Sequence, residues 1–226
     1  IFDFYGGLGK SREELGDKGV AYLHYGDMHR GSFFKVTYEQ YENLPKYDIA
    51  LKGDENYLIK DGDIVFLDAS EDLEGTSRCV LIDNPNNKPF ISGLHTIVAK
   101  EITPVFSKYY KQYITSADSV KKQFQKLAVG FKVYGLSRLS IKKIKIAYPK
   151  SQTEQAKIAE ILMKWDEAIE AQEQLINKLE IRKKALMQKL LTPKEGWKGF
   201  KLKSLVTILT SGGTPLTSIP EYHNGE

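Results

Sequence analysis

The 226-residue sequence holds a single cysteine, Cys79. One thiol excludes a disulfide framework and a zinc site built on cysteine pairs, and it suits a reducing compartment. No apolar run approaches the roughly 20 residues of a membrane-spanning helix, and no signal peptide opens the chain. The four histidines, His24, His29, His95 and His223, stand at no metal-ligand spacing with Asp, Glu or Cys79. Residues 68–74 hold four carboxylates without a histidine beside them and read as a solvated loop. Gly6-Gly7-Leu8-Gly9-Lys10-Ser11 ends like a nucleotide phosphate loop, but Phe4 stands where that loop needs its first glycine. Asp83-Asn84-Pro85-Asn86 lacks the second proline and the aromatic of an adenine-methyltransferase tetrapeptide. The sequence therefore offers no catalytic, cofactor-binding or metal-ligating set.

Charge is missing in one sign over one stretch. Residues 1–118 contain 19 acidic and 13 basic side chains. Residues 119–150 contain nine basic ones and no acid: Lys121, Lys122, Lys126, Lys132, Arg138, Lys142, Lys143, Lys145 and Lys150. A net charge of only +4 concentrated this way fits a domain that meets a polyanion with one face. It also fits a plain lysine-rich surface.

Residues 1–150 read as strand-rich. Short β-branched or aromatic runs at 20–25, 33–38, 63–67, 78–82 and 94–99 are separated by turn residues such as Gly26-Asp27, Asp61-Gly62-Asp63 and Asn84-Pro85-Asn86-Asn87. Their spacing predicts a curled antiparallel or barrel-like sheet rather than βαβ units. Residues 104–116 and 119–127 carry helical spacing, with Pro104 suited to a first turn. His95 is placed in an apolar strand.

At Pro149 the pattern changes. Ser151 or Thr153 can cap a helix whose positive first turn holds Glu154. No Gly or Pro follows until Thr192-Pro193. Ile158, Leu162, Trp165, Ile169, Gln172, Ile176, Leu179, Lys183, Leu186 and Leu190 alternate steps of four and three, a heptad seam polar only at Gln172 and Lys183. Ile161, Leu175 and Met187 are apolar off that seam. A helix with one apolar stripe requires a partner helix. Residues 196–200 read as a linker and 202–209 as a strand. Gly212-Gly213 aligns with Gly6-Gly7 at an offset of 206, which suggests that the tail begins a second copy of the head.

Five strings now stand in order: Gly135-Leu136-Ser137-Arg138-Leu139; Ile144-Lys145-Ile146-Ala147-Tyr148-Pro149; Glu154-Gln155-Ala156-Lys157-Ile158; Asp166-Glu167-Ala168-Ile169; and Lys183-Lys184-Ala185-Leu186-Met187-Gln188-Lys189-Leu190-Leu191. Their succession resembles the specificity subunit of type I restriction-modification enzymes. Ser211-Gly212-Gly213-Thr214-Pro215 resembles the opening of a target recognition domain in that family, and Asp61-Gly62-Asp63-Ile64-Val65-Phe66 a strand entry common in such domains.

The resemblance implies a non-catalytic, cytoplasmic protein that binds double-stranded DNA. A full specificity subunit has two target recognition domains, each reading half of a bipartite site. Long helices between them form an antiparallel coiled coil that docks two methylation subunits and, through them, restriction subunits. The methylation subunits, not this chain, hold S-adenosylmethionine. The expected fold class is α+β: a recognition domain at 1–150, a long helix at 151–192, and a linker with the start of a second repeat at 193–226. With one recognition domain and a first residue that is not Met, the chain looks like a half-subunit or a truncated form. By residue type the DNA-binding candidates are Lys132 and Arg138, then Arg30, Arg78, Lys10 and Arg12. Homodimerisation is expected through the seam at 151–191. Two other readings remain open: a methyltransferase with fused recognition domain, and a coiled-coil interaction protein without DNA binding.

Overall fold

The computed structural model describes residues 1–30, 35–37, 42, 44–48, 57–208 and 212–213, without the side chains of 29, 30, 35 and 36. In chain order the strands are β1 (Phe2–Gly6), β2 (Val20–Leu23), β3 (Lys35–Thr37), β4 (Lys46–Tyr47), β5 (Ile64–Leu67), β6 (Ala69–Ser70), β7 (Cys79–Asp83), β8 (Phe90–Ser92), β9 (Thr96–Glu101) and β10 (Tyr134–Gly135). The α-helices are α1 (Tyr25–Arg30), α2 (Asp118–Leu127), α3 (Arg138–Ile141) and α4 (Gln152–Leu191). Two compact units divide the chain, Ile1–Glu170 and Ala171–Glu226.

The first unit is organised by strands that have no polar face. Ile64-Val65-Phe66-Leu67 in β5 and Cys79-Val80-Leu81-Ile82 in β7 are apolar at successive positions and fully buried. Side chains alternate across a strand, so such runs require cover on both faces of the sheet. The five-stranded sheet, in the order β1-β9-β5-β7-β3, receives it. On one face Val65, Leu67, Val80, Ile82 and Val98 pack with Ala21, Leu23, Met28 and Phe90. On the other, Ile64, Phe66, Cys79, Ile97 and Ala99 pack with Phe106, Ile114, Val120, Phe124, Leu136 and Ile141. Each large apolar side chain removed from water contributes about 1.5–3 kcal/mol. The fold is α+β as the sequence suggests, but pairing is mixed. β3 runs parallel to β7, and β2 runs parallel to β8 in the three-stranded sheet β4-β2-β8.

Local differences from the sequence expectations have local causes. The strand expected over 20–25 ends at Leu23, and α1 takes Tyr25-Gly26-Asp27. The Asp27 carboxylate accepts from the His24 backbone N–H at 3.3 Å, and Met28 is buried in the core. The helical spacing at 104–116 yields only a 3-10 turn, Lys108–Tyr113. Pro104 precedes that turn by four residues, and the Glu101 carboxylate holds the Val105 and Phe106 N–H groups at 2.9 and 3.0 Å. β1 and β8 were not evident in the sequence; β8 has only three residues.

α4 is tied to the first unit by its opening turns. Ser151, rather than Thr153, caps it, with Oγ accepting from the Glu154 N–H at 3.3 Å. Gln155 is completely buried. Its Oε1 accepts from the Ser107 N–H at 2.7 Å, and its Nε2 donates to the Val105 and Pro149 carbonyls at 3.1 and 2.8 Å. Ala159 is buried one turn later, and the Tyr113 hydroxyl donates to the Asp166 carboxylate. Burial, and then that carboxylate, hold the Tyr113 phenol well above its ordinary range. The docked face is thus 155, 159 and 166, not the heptad seam.

The second unit takes α4 from Ala171 to Leu191; the helix as a whole has 40 residues and is about 60 Å long. The unit's seam residues Ile176, Leu179, Leu186 and Leu190 are exposed, as are Leu162, Trp165 and Ile169 in the part of the helix that belongs to the first unit; Ile158 is half-buried. The strand expected over 202–209 is, across its described part, a 3-10 turn at Leu202–Ser204. A lone strand leaves its backbone groups unpaired, and no strand partners this segment among the described residues. The proposed second copy of the head falls almost wholly outside the described residues.

One ion pair on the way to α4 is nearly buried on both sides, Lys111 Nζ to Glu101 Oε2 at 3.1 Å. Glu101→Ala strands the ammonium and removes the acceptor of two backbone N–H groups. The expected loss is about 3–5 kcal/mol in urea unfolding; a loss below about 1 kcal/mol would show that this joint is not structural.

Candidate nucleic-acid interface

Strand register brings a defined set of loops together. Gly6 at the end of β1 lies opposite Ile97, Leu67 at the end of β5 opposite Thr96, and Cys79 at the start of β7 opposite Phe66. The ends of β1 and β5 and the starts of β7 and β9 therefore share one end of the sheet. The second sheet joins them there. Leu23 ends β2 opposite Ser92, and the Gly93 N–H donates to the Leu23 carbonyl at 2.8 Å. The loop after β1 is laced to the same place by Gly7 N–H to the Thr96 carbonyl, 2.9 Å, and Leu8 N–H to the Ser92 carbonyl, 2.8 Å. β6 and β10, which pair with each other, follow, because Asp68 N–H reaches the His95 carbonyl at 3.2 Å and Leu136 N–H the Asp68 carbonyl at 2.8 Å.

Two features fix this end. Tyr22 is fully buried, and its hydroxyl accepts from the Leu94 N–H at 2.8 Å and the Lys10 N–H at 3.2 Å while donating to the Leu8 carbonyl. One phenol thus pins the β1 loop to the β8–β9 turn. Gly7 supplies the second: a Cβ there would lie 1.8 Å from the Gly93 carbonyl oxygen. Of the three glycines that mimic a phosphate loop in sequence, Gly7 alone serves this close packing; a Cβ at Gly6 or Gly9 would meet nothing nearer than 3.7 Å.

The candidates from sequence divide into two groups. Lys10 is drawn into an ion pair with Glu14 at 2.9 Å and lies over the Tyr47 ring at 4.9 Å. Its hydrogen bond to Glu14 raises its pKa. Arg12 stands 3.9 Å from Asp27. Arg78 is exposed on the C-cap of the 3-10 turn Glu74–Ser77, which packs on α2 and β6. Lys132 and Arg138 are exposed on either side of β10, and neither side chain forms an ion pair among the described residues. Arg138 opens α3, which is capped by Ser137 accepting from the Ser140 N–H at 3.0 Å. Arg30 has no described side chain. Five of the six candidates thus belong to segments at the same sheet end. All nine basic residues of 119–150 are exposed, because Val120, Phe124, Leu136 and Ile141 take the inward positions of those segments.

Sequence reasoning missed an aromatic and polar seam that links these segments. His24 and Tyr25 rings lie 4.4 Å apart, Tyr25 meets His95 edge-on at 5.2 Å, and His95 Nδ1 is 3.0 Å from Asp68. His95 occupies a turn with φ +59° before β9, not a strand interior. Burial lowers the His24 pKa. Cys79 is buried in the core, its thiol pushed up to about 11 by burial. Among the described residues no group of three or more His, Cys, Asp or Glu could hold a metal ion, and no helix is long and apolar enough to cross a membrane. What this end offers chemically is cations and hydrogen-bonding side chains on braced loops, the material of phosphate and base-edge contact.

Comparison with known proteins agrees in kind. The S subunit of a type I restriction-modification system from M. genitalium superposes with a TM-score of 0.54 at 17% identity, over 86% of this chain and 44% of that one. The HsdS subunit from Thermoanaerobacter tengcongensis superposes with a TM-score of 0.53 at 12% identity, over 84% of this chain and 41% of that one. The chain thus spans less than half the length of either, and the likeness is one of fold. Residues 17–181 match the type I restriction modification DNA specificity domain. With most of its length inside that match, the chain belongs to the type I restriction modification DNA specificity domain family.

Proposed function

We propose that this chain binds double-stranded DNA sequence-specifically, as the specificity component of a type I restriction-modification system. It would direct methylation subunits, and through them restriction subunits, to a bipartite site, acting in the cytoplasm without a catalytic role of its own. The observation that carries this reading is the placing of Lys132 and Arg138, exposed and without an ion pair among the described residues, at the same sheet end as Lys10, Arg12 and Arg78, within an acid-free stretch, 119–150, all nine of whose cations are exposed. In such an interface lysines and arginines hold phosphates, and a subset on braced loops reads base edges. A fused methyltransferase lacks support because the adenine-methylation tetrapeptide is missing from the sequence.

The double variant Lys132→Glu, Arg138→Glu should fold normally, since both side chains are exposed. It should lose affinity for duplex DNA, and its log–log salt slope should flatten, because fewer phosphates are neutralised. An unchanged affinity at physiological salt removes this face from the interface.

The heptad seam carries the second part of the proposal: self-association through residues 151–191. Ile158, Leu162, Trp165, Ile169, Ile176, Leu179, Leu186 and Leu190 make eight apolar positions of ten, and no helix of matching length accompanies α4 among the described residues. An antiparallel pair would supply two recognition domains related by a two-fold axis, with Gln172 near the middle setting register. The off-seam residues Ile161, Leu175 and Met187, also exposed, would then be left for a methylation subunit. Identical domains read identical half-sites, so the methylated site should be an interrupted palindrome. Analytical ultracentrifugation at tens of micromolar should show a dimer; a clean monomer, or a site with unlike halves when this is the sole specificity protein, contradicts it.

A further inference from the structure

Residues 129–135 form a small closed loop on the same sheet end. Val129 N–H donates to the Gly135 carbonyl at 3.0 Å, and Gly135 N–H returns to the Val129 carbonyl at 2.8 Å. Below the bridge, Gly135 pairs with Ala69, and the next residue, Leu136, is buried in the core. Gly130 has φ +146°, and a Cβ there would sit 1.9 Å from the Val133 carbonyl oxygen, so this tight return admits only glycine. The loop is therefore braced at its base. At its tip Phe131 is 91% exposed, the most exposed of the large apolar residues described.

An aromatic ring held out into water on a braced loop calls for a partner that removes it from water. The chemistry around it selects that partner. Lys132 is adjacent and exposed, Lys126 lies nearby in the chain, and no acid occurs from 119 to 150. A partner meeting this loop must offer flat apolar faces and anions at close spacing. Nucleic acid offers both, in stacked bases and in phosphates. We propose that Phe131 is a wedge that enters a base step of the bound duplex, partly unstacking it, while Lys132 holds a flanking phosphate. Insertion of apolar side chains between base steps is an established way to kink DNA, and a braced loop loses little conformational freedom on binding. Because flexible steps deform most readily, the wedge would contribute sequence preference at a step where no hydrogen bond is made.

This inference rests on the DNA-binding reading, and one experiment separates the two. The full chain is used to enrich duplexes from a randomised pool. The recovered duplex is then made with 2-aminopurine at successive positions, and affinity and fluorescence are measured for wild type, Phe131→Ala and Phe131→Trp. Wild type should unstack one step, seen as a fluorescence rise confined to one or two positions. Phe131→Ala should abolish that rise and weaken binding by roughly ten-fold or more, the scale of one lost aromatic–base stack, with an unchanged salt slope. Phe131→Trp should restore both. A Phe131→Ala variant that matches wild type in affinity and fluorescence overturns the wedge while leaving DNA binding intact, and assigns the ring to a protein partner instead. If wild type enriches no sequence and binds no duplex, the DNA reading fails and the wedge with it.

Discussion

Burial of both faces of the five-stranded sheet constrains everything else in the recognition unit. With β5 and β7 apolar at successive positions and packed on each side, the faces are closed to any partner. What remains are the ends, where chains leave the strands and polar side chains can reach solvent. Register then decides which loops share an end, and it collects those after β1 and β5 with those before β7 and β9. A sheet covered on one face only would have left an alternative surface; here the loop end is where cations and hydrogen-bonding groups can be combined on braced segments.

The two ends of the sheet hold different chemistry. At the loop end some carboxylates are engaged locally, Glu14 by Lys10, Asp27 near Arg12 and Asp68 hydrogen-bonded to His95, while Glu71, Asp72 and Glu74 between β6 and β7 are exposed. The exposed cations Lys132 and Arg138 are left over. At the other end, Lys108 bridges Asp61 and Asp83 at 2.6 Å each, and Glu101 pairs with Lys111. Burial pushes the Lys108 ammonium down, but its two carboxylate hydrogen bonds outweigh it, and the pKa rises. The segment leaving that end also receives Gln155 of α4. Ion pairs there knit structure, while at the loop end Lys132 and Arg138 stand exposed without an ion pair among the described residues.

Much of this was legible in the sequence, for identifiable reasons. Long elements with strong periodicity were read correctly: α4 begins and ends within a residue of its expected bounds, because Ser151 caps it and Pro193 stops it. Strands β5, β7 and β9 follow from their apolar runs. Short or context-dependent elements were not legible. β8 exists because β2 offers it a partner, and α1 replaces an expected turn because His24 Nδ1 accepts the Gly26 N–H, the Asp27 carboxylate ties back the His24 N–H, and Met28 finds a core. The family strings gain a physical meaning only in three dimensions: Gln155 and Asp166 anchor the helix, and Ser137 caps α3. In the site, the sequence pointed to cations by type, but it could not show that Lys10 is paired, that Tyr22 pins two loops, or that Phe131 stands exposed. Those depend on neighbours distant in sequence.

Hydrogen–deuterium exchange of the full chain, with and without a duplex that it enriches from a randomised pool, tests the central claim most directly. The account requires DNA to slow exchange at the amides of residues 7–12, 93–95 and 129–138, with little change at 60–62 and 84–88, at the opposite end of the sheet. Protection confined to that opposite end, or spread evenly over the unit, would contradict the assignment of the loop end as the nucleic-acid interface.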